Sequence, residues 1–92
     1  LANTSCDFNR GLAQLLNKNY TGAQKTFSCV SPQDAETIYI QAVAASMNND
    51  KENTLKYLGS AIKEDAKYKK CAANDMIFLK YRDDASFQAL VN

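Results

Sequence analysis

Two stretches of this chain share one pattern of apolar residues and polar turns, offset by 31 positions. Phe27 in the first stretch, for example, corresponds to Leu58 in the second. The polar turn NKN at positions 17–19 corresponds to NND at positions 48–50. Within each copy the apolar residues recur every three or four positions, which is the spacing of one face of an α-helix. A helix–turn–helix unit that occurs twice at this spacing is typical of an α-solenoid, in which neighbouring hairpins bury each other's apolar faces.

The composition also favours a single helical domain. A chain of 92 residues can bury one modest core, and its 46% hydrophobic and 23% charged residues are ordinary values for a globular protein. One proline, three glycines and the lack of β-branched runs disfavour a sheet. We therefore predict an all-α fold with one domain over residues 1–92.

The first hairpin is predicted from its capping residues and its apolar stripe. Thr4 and Asp7 fit a capping box that starts a helix over about 5–17. The turn at 17–19 ends it, and a second helix is predicted over about 20–30. The residues expected to point inward are Phe8, Gly11, Leu12, Leu15, Tyr20, Ala23, Phe27 and Val30.

The second hairpin begins at the clearest start signal in the chain. Ser31 is a candidate cap, Pro32 suits the first helical position, and Asp34 completes a capping box, so a third helix is predicted up to about position 47. A fourth helix follows over about 51–64. Its expected inward residues are Leu55, Leu58, Ala61 and Ile62.

The last third of the chain is predicted to form closing helices. The periodic pattern resumes after Asp65 and is interrupted near Asn74, and Asp83 or Asp84 caps a short final helix. The residues expected to point inward are Tyr68, Ala72, Met76, Leu79, Phe87, Leu90 and Val91.

The second helix of the first copy resembles that of the tetratricopeptide repeat (TPR): an aromatic, a small residue, an aromatic and an apolar residue at spacings of three, four and three. The matching residues are Tyr20, Ala23, Phe27 and Val30, with Leu58 and Ala61 in the second copy and Gly11 and Ala42 at the close-approach position of the first helices. The resemblance implies a right-handed superhelix with repeats at 5–31 and 32–65 and closing helices at 66–92. The period departs from the 34 residues usual for this family.

The chain as a whole looks like the carboxy-terminal region of repeat proteins of the Gram-negative bacterial envelope, where a helix ending in FxKY follows the second pair. Residues 78–81 read FLKY here. This resemblance implies a bacterial protein in the periplasm or cell envelope, with the cytoplasm as the alternative. We expect the chain to be a fragment of a longer protein, or a mature chain whose leader has been removed.

The TPR resemblance also implies a binding surface, because the first helix of each pair lines the concave face in that family. The side opposite the packing stripe contains Asn9, Ala13, Leu16 and Asn17 in the first copy and Ile40, Ala44, Met47 and Asn48 in the second. An Asn side chain both donates and accepts hydrogen bonds, and Met supplies an adaptable apolar contact. The alternative is that Leu16, Ile40 and Met47 pack on the fifth helix or on a preceding repeat.

Three cysteines leave two possibilities open. The start of the first helix of a hairpin lies beside the end of the second, so Cys6 and Cys29 are candidates for a disulfide. The alternative is that they are free thiols, since unpaired Cys is a common small core residue.

Catalytic and cofactor chemistry find little support. The chain has no His, so the usual catalytic triads are excluded and a zinc site lacks its common ligands. It also has no glycine-rich phosphate loop. We predict that the protein is not an enzyme and uses no cofactor and no metal.

Charge and hydropathy limit the partners. A net charge of +1 gives no footprint for nucleic acid. The apolar run at 38–47 is far shorter than the roughly 20 residues of a membrane span. We predict a monomeric module that binds a protein or peptide; the alternative is a structural cap at the end of a longer helical-repeat protein, covering preceding repeats of the same chain.

Overall fold

The computed structural model describes residues 6–31 and 33–92. Its helices are α1 (Phe8–Leu16), α2 (Tyr20–Ser28), α3 (Ala35–Met47), α4 (Lys51–Glu64), α5 (Lys67–Asn74), the 3₁₀ helix η1 (Met76–Tyr81) and α6 (Ala85–Val91). The described residues contain no strand, and the predicted all-α class is confirmed.

The helices pack mainly on their neighbours in the chain. α1 packs on α2, α2 on α3, and α3 on α4, while α5 and α6 close over α4 and η1 lies against α3. The central helix α3 serves two apolar clusters. Its Ala42 is buried with the closing helices, and its Ala44 is buried with the first hairpin. α3 therefore joins the two halves of the core.

Most helices begin at a side chain that accepts a hydrogen bond from the first turn. The capping residues are Asp7, Asn19, Asp34, Asp50 and Asp84. A carboxylate that accepts such bonds is favoured in its charged form. The backbone N–H of Thr37 accordingly holds the pKa of Asp34 below its ordinary value.

The start of the third helix differs from the prediction. Asp34 is itself the cap, and its side chain accepts from the Thr37 N–H at 2.9 Å. α3 therefore begins after Asp34 rather than after Ser31, because Asp34 supplies the oxygen that the first turn needs. Thr4 and Pro32, which the sequence placed in the caps of the first and third helices, lie outside the described residues.

The two hairpins reverse the chain with the same backbone geometry. Lys18 and Asn49, which are 31 positions apart, both have a left-handed backbone, with φ of 65° and 58°. In each turn the next residue donates its N–H to the carbonyl five positions earlier, at 2.8 Å. This is the Schellman arrangement for ending a helix. The repeat seen in the sequence is therefore a repeat of hairpin turns in the structure.

A close contact between Gly11 and Phe27 sets the packing of the first hairpin. The Phe27 side chain is fully buried, and the Phe8 ring lies 5.4 Å from it between centroids. A Cβ atom on Gly11 would lie 2.5 Å from Cε1 of the Phe27 ring. Only glycine therefore lets α1 approach α2 this closely.

The closing helices contain the largest departure from the prediction. Met76 and Leu79, predicted to point inward, are 82% and 52% exposed, whereas Phe78 and Tyr81 are buried. Asp75 ends α5 and caps η1, accepting from the Ile77 N–H. A 3₁₀ helix has three residues per turn, so its buried positions fall on residues three apart rather than on the stripe of α5.

Replacing Gly11 by Ala tests the contact with Phe27. We expect Gly11→Ala to lower the free energy of unfolding by about 1–3 kcal/mol, because a buried ring must shift to admit the methyl group. Gly59→Ala is the matched control, since its nearest neighbour lies at an ordinary 3.4 Å. Alanine is the better helix former, so the control should be neutral or slightly stabilising. Equal denaturation midpoints for the two variants would contradict the contact.

Replacing Lys18 tests the left-handed turn. Lys18→Gly should raise the free energy of unfolding by about 0.5–1 kcal/mol, since glycine adopts positive φ without the Cβ penalty. Lys18→Ala also removes the long side chain but retains a Cβ, and it should not stabilise the protein. A chemical denaturation series on the three proteins measures both effects, and a gain in Lys18→Ala equal to that in Lys18→Gly would refute the backbone explanation.

Candidate binding surface

The eight predicted site residues form four pairs, each related by 31 positions: Asn9 and Ile40, Ala13 and Ala44, Leu16 and Met47, and Asn17 and Asn48. The two members of each pair differ in their exposure to solvent or in their contacts with α2. The members on α1 are exposed, whereas those at α3 are buried, half-buried or hydrogen-bonded to α2.

Two of the predicted residues on α3 do not face solvent as the sequence suggested. Ala44 is fully buried in a cluster with Ala23 and Phe27 of α2, and Ile40 packs against the same cluster. The prediction that Ala44 lines a ligand-facing surface is wrong, because α2 lies over that side of α3. A small side chain at this position permits the close approach of the two helices.

The end of α3 is bound to α2 by polar contacts. The Asn48 amide donates to Oε1 of Gln24 at 2.9 Å and to the hydroxyl of Thr21 at 3.3 Å. Gln24 in turn donates to a carboxylate oxygen of Asp50 at 3.4 Å. Hydrogen bonding from the Asn53 side chain, with a further bond from Gln24, lowers the pKa of Asp50. The exposed Asn48 amide thus serves contact between the hairpins.

The corresponding residues on α1 are open. We call Asn9, Ala13, Leu16 and Asn17 the α1 face. All four are exposed, and Leu16 is 84% exposed although it is a large apolar residue. Within the described part of the chain, the Asn17 side chain has no hydrogen bond comparable to those of Asn48. The α1 face therefore repeats a surface that α2 partly covers in the second copy.

A second apolar surface lies at the other end of the domain. A cleft of about 210 Å³ between α5, η1 and α6 has Phe78 and Phe87 in its lining and the exposed Met76 and Leu79 beside them. The helical spacing of the sequence did not predict this surface. The signal that reveals it is Asp75, whose capping role restarts the helical phase before residue 76.

Asp75 also connects η1 to α3. The Tyr39 hydroxyl donates to a carboxylate oxygen of Asp75 at 2.9 Å. Burial, reinforced by this carboxylate, raises the pKa of Tyr39 above its ordinary value, so the phenol stays protonated and remains a donor. This bond holds the closing segment in place beside the apolar cleft.

The structure joins Cys6 and Cys29, the candidate pair from the sequence, in a disulfide. Their Cα atoms are 5.3 Å apart, which is within the normal range for such a bond. The bond connects Cys6, two positions before α1, to Cys29, the residue after α2. Cys71 on α5 is a free and exposed thiol.

The described residues offer no evident centre for metal chemistry or membrane insertion. No group of three or more Cys, Asp or Glu side chains among them is placed to hold a metal ion. None of the helices in residues 6–31 and 33–92 has the length and apolar character required to cross a bilayer. The described residues include three exposed large apolar side chains, Leu16, Met76 and Leu79.

Breaking the disulfide should destabilise the domain. Cys6→Ser with Cys29→Ser removes a link between residues 23 positions apart, for which chain entropy predicts a loss of roughly 3 kcal/mol in the free energy of unfolding. Cys71→Ser is the control and should change stability little, because its thiol is exposed. Thermal melts of both variants measure the difference, and a double variant that melts like the parent would show that the bond adds no stability.

Comparisons with protein-family models, with curated proteins and with solved structures find no match to this chain. The resemblance to the tetratricopeptide repeat therefore depends on the residues of this chain alone.

Proposed function

We propose that this domain is a non-enzymatic, TPR-like interaction module that binds a protein or peptide segment on the α1 face. One observation carries the proposal: the exposed α1 face occupies the positions equivalent to a surface at α3 that contacts α2 through Ala44 and Asn48. A surface with the same residue spacing and the same helix ending is suited to a similar kind of occupant.

The contacts of α3 with α2 indicate which groups a bound segment would present to the α1 face. Ala44 accepts the apolar side chains of α2 at close range, and Asn48 donates to an amide oxygen and a hydroxyl. By analogy, Ala13 accommodates a close apolar contact, and Leu16 supplies the apolar area. Asn17 then donates to an oxygen of the partner. An amphipathic helix with Thr or Gln beside its apolar stripe meets these requirements.

The alternative function uses the same surface. A preceding hairpin of a longer chain would cover the α1 face as the first hairpin covers α3, and the domain would then be a structural cap with no ligand of its own. The observation in its favour is that the covered copy is occupied by a hairpin of this chain.

The proposal extends to the class of protein and the compartment. The absence of His from the sequence supports a non-enzymatic role, because it removes the commonest general base. The disulfide between Cys6 and Cys29 supports an oxidising compartment, and we place the protein in the bacterial periplasm or cell envelope, with the cytoplasm as the alternative.

Charge substitution on the α1 face tests the interaction. The intact protein carrying Leu16→Lys is compared with the parent in pull-downs from the native organism, with Leu79→Lys as the matched control. Both leucines are exposed, so neither change should unfold the domain. We expect the bound protein to be lost with Leu16→Lys and retained with Leu79→Lys. Retention of every bound protein by Leu16→Lys would overturn the assignment of the surface.

Thiol labelling distinguishes an interaction module from a structural cap. Leu16→Cys is placed in a Cys71→Ser background, so that the new thiol is the reactive one, and the intact protein is treated with a maleimide. Glu64→Cys, at an exposed position of the second hairpin, is the control. An interaction module should label at both positions when it is alone and should lose labelling at position 16 when its partner is bound. Protection of position 16 before any partner is added would favour the cap.

A further inference from the structure

A cleft with cationic residues in its lining opens between α1 and α2 of the first hairpin. It has a volume of about 280 Å³ and is lined by Arg10, Gln14, Gly22, Lys25, Thr26 and Cys29. The lining takes residues from both helices of the hairpin. It contains two cations and no carboxylate.

Neither cation forms an ion pair within the described part of the chain. Arg10 and Lys25 are both exposed, and the two ion pairs of the described residues involve other side chains. The nearest acid in sequence, Asp7, caps α1 and accepts from the Asn9 N–H at 3.1 Å. The protein as a whole carries a net charge of only +1, so the positive charge at this cleft is a local feature.

A hydrogen bond between α1 and α2 determines which polar atoms of Gln14 are available to a ligand. The Thr26 hydroxyl donates to Oε1 of Gln14, and this bond occupies the amide oxygen. The amide nitrogen, with its two N–H donors, is left for other contacts. Because Gln14 lies one helical turn after Arg10, its N–H groups and the guanidinium lie on the same side of α1.

The spacing of the cleft is held by covalent and polar links. Cys29 forms part of the lining, and its disulfide with Cys6 connects the start of α1 to the end of α2. The Thr26 to Gln14 bond connects the same two helices farther along. The two helices that carry the donors are therefore held together before any ligand arrives, which lowers part of the entropic cost of binding.

We propose that this cleft binds an oxyanion, in the form of a phosphate or carboxylate group. Arg10 is the bidentate donor, Lys25 supplies a point charge from the opposite helix, and the Gln14 amide adds a neutral donor. The cleft uses none of the four residues of the α1 face. The proposal does not depend on the proposed function.

Titration with simple anions tests the proposal directly. The amide signals of the ¹⁵N-labelled, oxidised protein are followed by NMR during additions of sodium phosphate or, separately, sodium acetate, at constant ionic strength. We expect saturable shifts at positions 10, 14, 22, 25 and 26. Saturation with phosphate alone identifies a phosphate site, and saturation with acetate identifies a carboxylate site. The absence of saturable shifts with both anions would overturn the proposal.

A charge-matched pair of variants distinguishes a built site from general attraction. Arg10→Gln with Lys25→Gln removes both cations of the cleft, and Lys56→Gln with Lys63→Gln removes two exposed cations from α4. The net charge falls equally in both. The cleft variant should bind about tenfold more weakly or worse, and the α4 variant should bind like the parent. If both variants bound the anion equally weakly, the net charge of the protein alone would account for the binding, and the proposal would fail.

Discussion

The contact of Gly11 with the ring of Phe27 controls how closely α1 and α2 approach each other, and much of the first half of the structure depends on that distance. The ring has no exposed surface, and it belongs to the cluster that buries Ala44 of α3. It therefore holds α1, α2 and α3 together. The disulfide at one end of the hairpin and the bond between Thr26 and Gln14 along it are compatible with this separation.

The position of α3 explains which surfaces of the molecule are available. Three alanines on this helix, at positions 42, 44 and 45, are fully buried, and small side chains allow helices to pack on more than one side. The closing segment reaches the same helix through polar atoms. Ser46 donates to the Ile77 carbonyl at 2.8 Å, and the Lys80 ammonium donates to the Ser46 carbonyl and the Asn49 side chain. With α3 enclosed in this way, the equivalent surface of α1 remains exposed in the described part of the chain.

Local features of the fold were predictable because they depend on neighbouring residues. The turns at 17–19 and 48–50 were recognised from their Asn and Asp residues, and these side chains cap the helices that follow. The fourth helix was predicted over 51–64, as observed. The predicted start at Ser31 was wrong because Asp34, three positions later, competes for the same first turn. The inward orientation of Met76 was wrong because a change from α to 3₁₀ geometry alters the phase of the buried positions.

The candidate sites likewise combine positions that the sequence predicted with burial that only the packing of helices decided. The eight residues of the predicted binding surface were selected by helical spacing, which treats equivalent positions of the two hairpins alike. Burial separated them, since Ala44 lies beneath α2 and Ala13 does not. Arg10 and Lys25 stand far apart in the sequence, and no spacing rule connects them until two helices pack side by side.

By itself, the sequence determined the helical class, the repeated hairpin and its turns, and the candidate cysteine pair, because periodicity, capping and hairpin geometry act over short distances along the chain. The tertiary structure alone decided which copy of the repeated surface stays open, where the closing helices expose Met76 and Leu79, and which cations share a cleft. Those outcomes depend on which helix covers which, and that is a property of packing between elements distant in sequence.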